Sequence, residues 1–201
     1  MENNRYNNIS DSQLWFTFLR GDKNAFNIIY EKNVQSLYKY GMNFSKDSNL
    51  VKDCIHDVFV NLYKYRENLN ETNNIQYYLF KALKHSIIKA ISKSRKLSPF
   101  DDVEVKFYYE NSIEDTVTEN DIERDQLLLI QKAITKLSIR QKEALYLKFN
   151  LGLKYDEIAR VMDVNYQSAR NLVHRGIQKV RAYCKSNSVL VLFIYANRVN
   201  R

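Results

Sequence analysis

The chain has 201 residues, with 31 Lys plus Arg against 23 Asp plus Glu, two Cys, and only four Gly and one Pro. So little turn chemistry excludes an all-β fold of many hairpins, and the length suits one large domain or two small ones. No stretch approaches the roughly 18 apolar residues of a membrane span, and the polar opening MENNRYNNIS lacks a signal peptide's apolar core, so neither membrane insertion nor export is expected.

Cys54 and Cys184 stand alone without CxxC spacing, as buried thiols of a reduced, cytoplasmic protein would. Charge is unevenly spread: net +6 over residues 1–97, −8 over 98–125 and +10 over 126–201. Two basic lobes thus flank an acidic connector. Basic lobes suit a polyanion such as nucleic acid, whereas the connector needs a separate explanation.

In chain order, the first lobe reads as four helices. Ser10 with Gln13 is a capping box opening a helix whose apolar residues are Leu14, Trp15, Phe18 and Leu19. Gly21 ends it and Asp22 caps the next, on which Phe26, Ile29, Tyr30, Leu37 and Tyr38 recur at mostly three- and four-residue steps. Asp47 or Ser48 starts a third, with Leu50, Val51, Cys54, Ile55, Val58, Phe59 and Leu62 inward. Asn73 or Asn74 starts a fourth, from Ile75 to about Lys96. Such a run predicts a small bundle.

Residues 98–125, SPFDDVEVKFYYENSIEDTVTENDIERD, hold the only proline and no sustained helical period, so a solvated linker is expected. Leu127, Leu128, Ile130, Ile134 and Leu137 then share one helix. Ser138 and Gln141 make a second capping box, followed by Ala144, Leu145, Leu147 and Phe149. The fold class is therefore all-α, with two small helical domains: a front bundle over 10–97 and a helix-turn-helix domain over 122–185. An acidic flexible linker over 98–121 joins them, and an apolar tail over 186–201 follows.

The stretch YDEIARVMDVNYQSARNLVHR, residues 155–175, predicts two short helices meeting at the corner Met162-Asp163-Val164. Asp tolerates the positive φ of such a corner better than most residues, and Asn165 is a good N-cap. Ala169, Val173, Gly176, Ile177 and Val180 step inward at helical intervals. Gln167, Ser168, Arg170, Asn171, His174 and Arg175 are left outward. A major-groove helix needs such a set: Arg pairs with guanine's two acceptors, Asn with the adenine edge, and Ser or Gln with phosphate or base.

This stretch resembles part of a sigma factor of bacterial RNA polymerase, in the short two-domain extracytoplasmic-function (ECF) group of the sigma-70 family. Glu157-Ile158-Ala159 and Arg175-Gly176 match the family pattern, while Asp163 replaces the usual corner glycine. DCIHDVF, residues 53–59, is similar to the family signature with His56 in place of Gln. YLFKALKHSIIKAISKSRK, residues 78–96, resembles the helix that opens and reads the minus-ten promoter element. LWFTFLRGDKNAFNIIYEKNVQSLYKYG, residues 14–41, matches the opening helices.

The resemblance implies a non-enzymatic factor that binds core RNA polymerase and directs promoter-specific initiation, recognising and melting promoter DNA. It implies polymerase binding through Asp53, His56, Asp57 and Phe59 on the clamp of the largest subunit, with the flap of the second largest as a further contact. It implies single-strand binding at the minus-ten element through Tyr77, Tyr78, Lys81, Lys84, His85, Lys89, Lys93 and Arg95. Tyr78 aligns with a common family Trp and His85 with an Asn, so base preference does not carry over. The outward set on the last helix falls on positions used for the minus-thirty-five element. The acidic connector is implied to thread through polymerase, where its negative charge mimics RNA. An anti-sigma factor or other recruiting protein completes the implied partners.

Asp53-x-x-His56 also resembles half of a carboxylate-bridged metal site. The second half is missing, because Ala82 and Asn171 precede His85 and His174 at that spacing. No nucleophile triad, phosphate loop or zinc spacing is present, so no catalytic residue, metal or cofactor is expected. An ordinary helix-turn-helix regulator would leave DCIHDVF and the aromatic–lysine mixture of residues 77–96 unexplained. The tail segment VLVLFIY, residues 189–195, is read as packing on the second lobe or docking a regulator.

Overall fold

The computed structural model describes residues 9–72, 74–94, 106–109 and 121–184. Among these residues the secondary structure is helical, without strands, and the chain divides into two compact units, Met1–Val105 and Lys106–Arg201.

The front unit contains α1 (Asp11–Leu19), α2 (Lys23–Met42), α3 (Ser48–Lys64) and α4 (Ile75–Ser94), with a 3-10 turn at Arg66–Asn68. Each start is set locally. Ser10 and Gln13 close their capping box reciprocally, at 3.3 and 3.0 Å. Asp22 accepts from the Ala25 amide at 2.9 Å, and Asp47 from the amides of Asn49 and Leu50. Asn74, of the two candidates, caps α4 by accepting from the Tyr77 amide at 2.8 Å. These side chains satisfy amides that the first helical turn leaves without partners.

Packing then closes the bundle: α3 lies against α2 and α4, and α1 against α2. Gly41 permits the close approach, since a Cβ there would stand 2.6 Å from Val51 Cγ1 and 3.2 Å from Ile87 Cδ1. Trp15, Phe18, Tyr40 and Phe80 fill the core, and the Trp15 indole donates to the Asn70 carbonyl at 3.0 Å. On α2 the buried stripe is Ala25, Ile29, Asn33, Leu37 and Tyr40. Tyr30, expected inward, lies beside that stripe and remains 42% exposed, its ring edge-on to Phe59.

The rear unit contains α5 (Asp121–Thr135), α6 (Ile139–Phe149), α7 (Tyr155–Val161) and α8 (Tyr166–Cys184). The Ser138–Gln141 capping box forms at the start of α6. Leu137 is buried but lies past the end of α5, and Leu128 is 41% exposed. The apolar run there is wider than the face that α5 turns to α8. Gly176 brings α8 against α6, where an added Cβ would meet Leu145 at 3.1 Å.

Part of the expected linker differs from a solvated chain. Phe107 and Tyr109 are buried, edge-on to Tyr146 of α6 at 5.8 and 5.6 Å between ring centres. The Tyr109 hydroxyl donates to Asn150 Oδ1 at 3.0 Å, and burial pushes the Tyr146 phenol up from its ordinary value. Tyr109 has φ 46, a conformation that non-glycine residues adopt only where their surroundings hold them. Acidic composition masked these rings, because their burial depends on a partner nearly forty residues away. Residues 121–125, also expected in the connector, form the first turn of α5, while residues 98–105 and 110–120, Arg95 and the tail over 186–201 lie outside the described residues.

Candidate nucleic-acid interface

The corner between α7 and α8 is built as its residues predict. Met162 closes α7 by donating its amide to the Ile158 carbonyl, and Asp163 takes φ 51. Asn165 then accepts from the Ser168 amide at 2.7 Å, starting α8 in a new direction. Ile158, Ala159, Val161 and Met162 are buried beneath, with Ala169, Val173, Gly176 and Val180 of α8.

This burial fixes the opposite face of α8. Gln167, Arg170, Asn171, His174 and Arg175 are exposed together and Ser168 is half-buried, so the structure gathers all six expected residues on one helix surface. Gln167 Nε2 donates to Asn171 Oδ1 at 3.3 Å, one helical turn on, which orients both amides. No carboxylate among the described residues pairs with Arg170 or Arg175.

The sequence-predicted set on α4 is graded in burial. His85, Lys89 and Lys93 are exposed in a line of four-residue steps, while Tyr77, Lys81 and Lys84 are half-buried along the flank. Tyr78 packs on Trp15 with ring centres 5.2 Å apart, and burial pushes its phenol up. Tyr78 is thus half-buried, with its ring held against the bundle. Leu79, Phe80 and Leu83 are core. Arg95 is outside the described residues.

Charge separates these two helices from the others. α4 contains four lysines and α8 contains Arg170, Arg175, Lys179 and Arg181, and neither contains an Asp or Glu. Every other described α-helix carries at least one carboxylate. An unbroken cationic face suits a polyphosphate backbone.

On α3, Asp53, His56 and Asp57 are exposed on one side, extended by Val60 at 46% exposure. Phe59 is only 4% exposed and packs edge-on against Phe26 and Tyr30. It lies beneath the acidic stripe, because the buried side of α3 is the line Ile55, Val58, Phe59 and Leu62.

Comparison with known proteins bears on both units. Residues 29–97 match the family "Sigma-70 region 2" and residues 127–180 match "Sigma-70, region 4", together about three-fifths of the chain. The chain belongs to the sigma-70 family. As a sigma-70 protein it directs promoter-specific transcription initiation, and the family is one of non-enzymatic DNA-binding factors.

The chain is similar to the ECF RNA polymerase sigma factor SigM of Bacillus subtilis (strain 168). It is 19% identical over 154 residues, which cover 77% of this chain and 91% of that relative. The RNA polymerase sigma factor SigZ of the same organism is 22% identical over 153 residues, or 76% of this chain and 83% of that one. Among solved structures, the sigma factor RpoE with the anti-sigma factor NepR from Bartonella quintana shares the fold. It has a TM-score of 0.58 at 17% identity, covering 81% of this chain and 98% of that one. No helix among the described residues of this sigma-70 protein is long and apolar enough to cross a membrane.

Sequence reasoning passed over Tyr166, which stands on α8 of this sigma-70 chain beside the outward polar set. At 53% it is the most exposed large apolar side chain among the described residues, and it opens α8. An aromatic at a helix start reads as core in a sequence. Only its position one turn before Arg170 hinted otherwise.

Proposed function

We propose that the front domain, residues 10–97, holds core RNA polymerase and the separated promoter strand, while the rear domain, residues 122–185, holds intact duplex upstream. The observation that carries this division is the absence of carboxylates from α4 and α8 alone among the described α-helices. On α4, His85, Lys89 and Lys93 follow the backbone, and the half-buried rings of Tyr77 and Tyr78 offer aromatic surface to unpaired bases. On α8, Arg170 and Asn171 read base edges while Arg175, Gln167 and Ser168 hold phosphate, with His174 between them.

The acidic stripe of Asp53, His56 and Asp57 is the polymerase contact, and it meets basic residues of the clamp on the largest subunit. Phe59 supports that surface from below. The flap of the second largest subunit is the contact of the rear domain. The factor works in the cytoplasm, which suits the free thiols of Cys54 and Cys184. An anti-sigma factor is a further partner, as NepR is for RpoE.

Association with core polymerase tests the reading. Purified full-length chain and core enzyme should co-elute, and Asp53→Lys with Asp57→Lys should weaken that association at least tenfold without unfolding the chain, since both positions are exposed. Equal association of variant and wild type would remove the stripe from the interface. No association of the wild type would remove the function.

A further inference from the structure

We propose that Tyr166 is a specificity-determining residue of the rear domain, one that recognises the 5-methyl group of a thymine in the upstream promoter element. The inference rests on the reading of α8 as the duplex-holding helix. It goes beyond that reading by assigning a base preference to a residue outside the polar set.

The ring is exposed, yet it is held. Tyr166 stands edge-on to Tyr155, the first residue of α7, with ring centres 6.1 Å apart and planes at 77°. Tyr155 is fixed in turn by the Lys148 ammonium, 4.8 Å above its ring centre. That ammonium also donates to the Leu153 carbonyl at 3.2 Å. Three elements, α6, α7 and α8, therefore set the direction of one solvent-exposed aromatic ring. An exposed ring braced in this way loses little conformational freedom when it meets a partner.

Its place on the helix decides the partner. Tyr166, Arg170 and His174 follow one another at four-residue steps, beside the parallel line of Gln167 and Asn171. A recognition helix meets base edges with its N-terminal residues, so Tyr166 stands where bases are read. An aromatic ring there offers chiefly apolar surface. The apolar feature of a major-groove edge is the thymine methyl, which adenine, guanine and cytosine lack.

The test replaces thymine by uracil, which pairs identically and lacks only the methyl. Full-length chain with core polymerase initiates on a promoter chosen from a random library, and each thymine of its upstream element is changed singly to uracil on either strand. For the wild type, one position should lose about fourfold in initiation at limiting holoenzyme, the worth of one buried methyl group. Y166A should show no loss at that position and keep its response elsewhere. Y166F, which keeps the ring and loses the hydroxyl, should behave as wild type.

The assignment is overturned if no uracil position affects the wild type, a result that needs no variant to fold. It is also overturned if Y166A shows the wild-type profile. Uniform weakening of Y166A and Y166F on every template would make the residue a phosphate contact and overturn it too. Absence of any initiation by the wild type overturns both this assignment and the function beneath it. Loss of the position 166 dependence alone leaves that function standing.

Discussion

At Arg170 the guanidinium is exposed on a helix whose inner face is locked by Ala169 and Val173, so its reach is set by backbone already in place. A planar fork so held suits the two acceptors of guanine, and in the proposed role truncation would remove both bonds. Arg170→Ala is expected to cost about 1–3 kcal/mol of discrimination at one base pair, measured by initiation on promoters varied singly through the upstream element. Equal loss on all sequences would mark a phosphate contact. Much at this scale was legible beforehand. Ser10, Asp22, Asp47, Ser138 and Asn165 cap helices because capping depends on neighbours two or three residues along the chain. The positive φ of Asp163 was legible for the same reason. The bracing of Tyr166 was less so, since it depends on a ring from another element.

Helices, loops and connectors show where periodicity is a sufficient guide and where it is not. The six buried residues of α3 were all foreseen, because a wide apolar stripe in a 17-residue helix leaves one way to pack. Segment 106–109 had no such signal. Its two buried aromatics are separated by Tyr108, 38% exposed, and embedded in acidic sequence, so only the contact with Tyr146 reveals them. Their burial makes the segment part of the rear unit's core. Phe107→Ala should lower that unit's unfolding free energy by about 3 kcal/mol, the usual cost of removing a buried phenyl. Denaturant midpoints followed through the tyrosines would show it, and an unchanged midpoint would mean that the segment adds nothing to stability.

Over the whole molecule, the proposed division of labour rests on two helical units whose cationic faces differ in composition. α8 presents Arg and amide groups suited to an intact major groove, whereas α4 mixes lysines with tyrosine rings suited to unstacked bases. Binding and opening should therefore respond to separate substitutions. Permanganate reactivity of promoter thymines, followed as holoenzyme concentration rises, measures both at once: the midpoint reports binding and the plateau reports strand opening. His85→Ala with Lys89→Ala is expected to lower the plateau with little change in midpoint. Arg170→Ala with Arg175→Ala should raise the midpoint and leave the plateau as in the wild type. The opposite pattern, or a midpoint shift alone from both pairs, would contradict the division of labour.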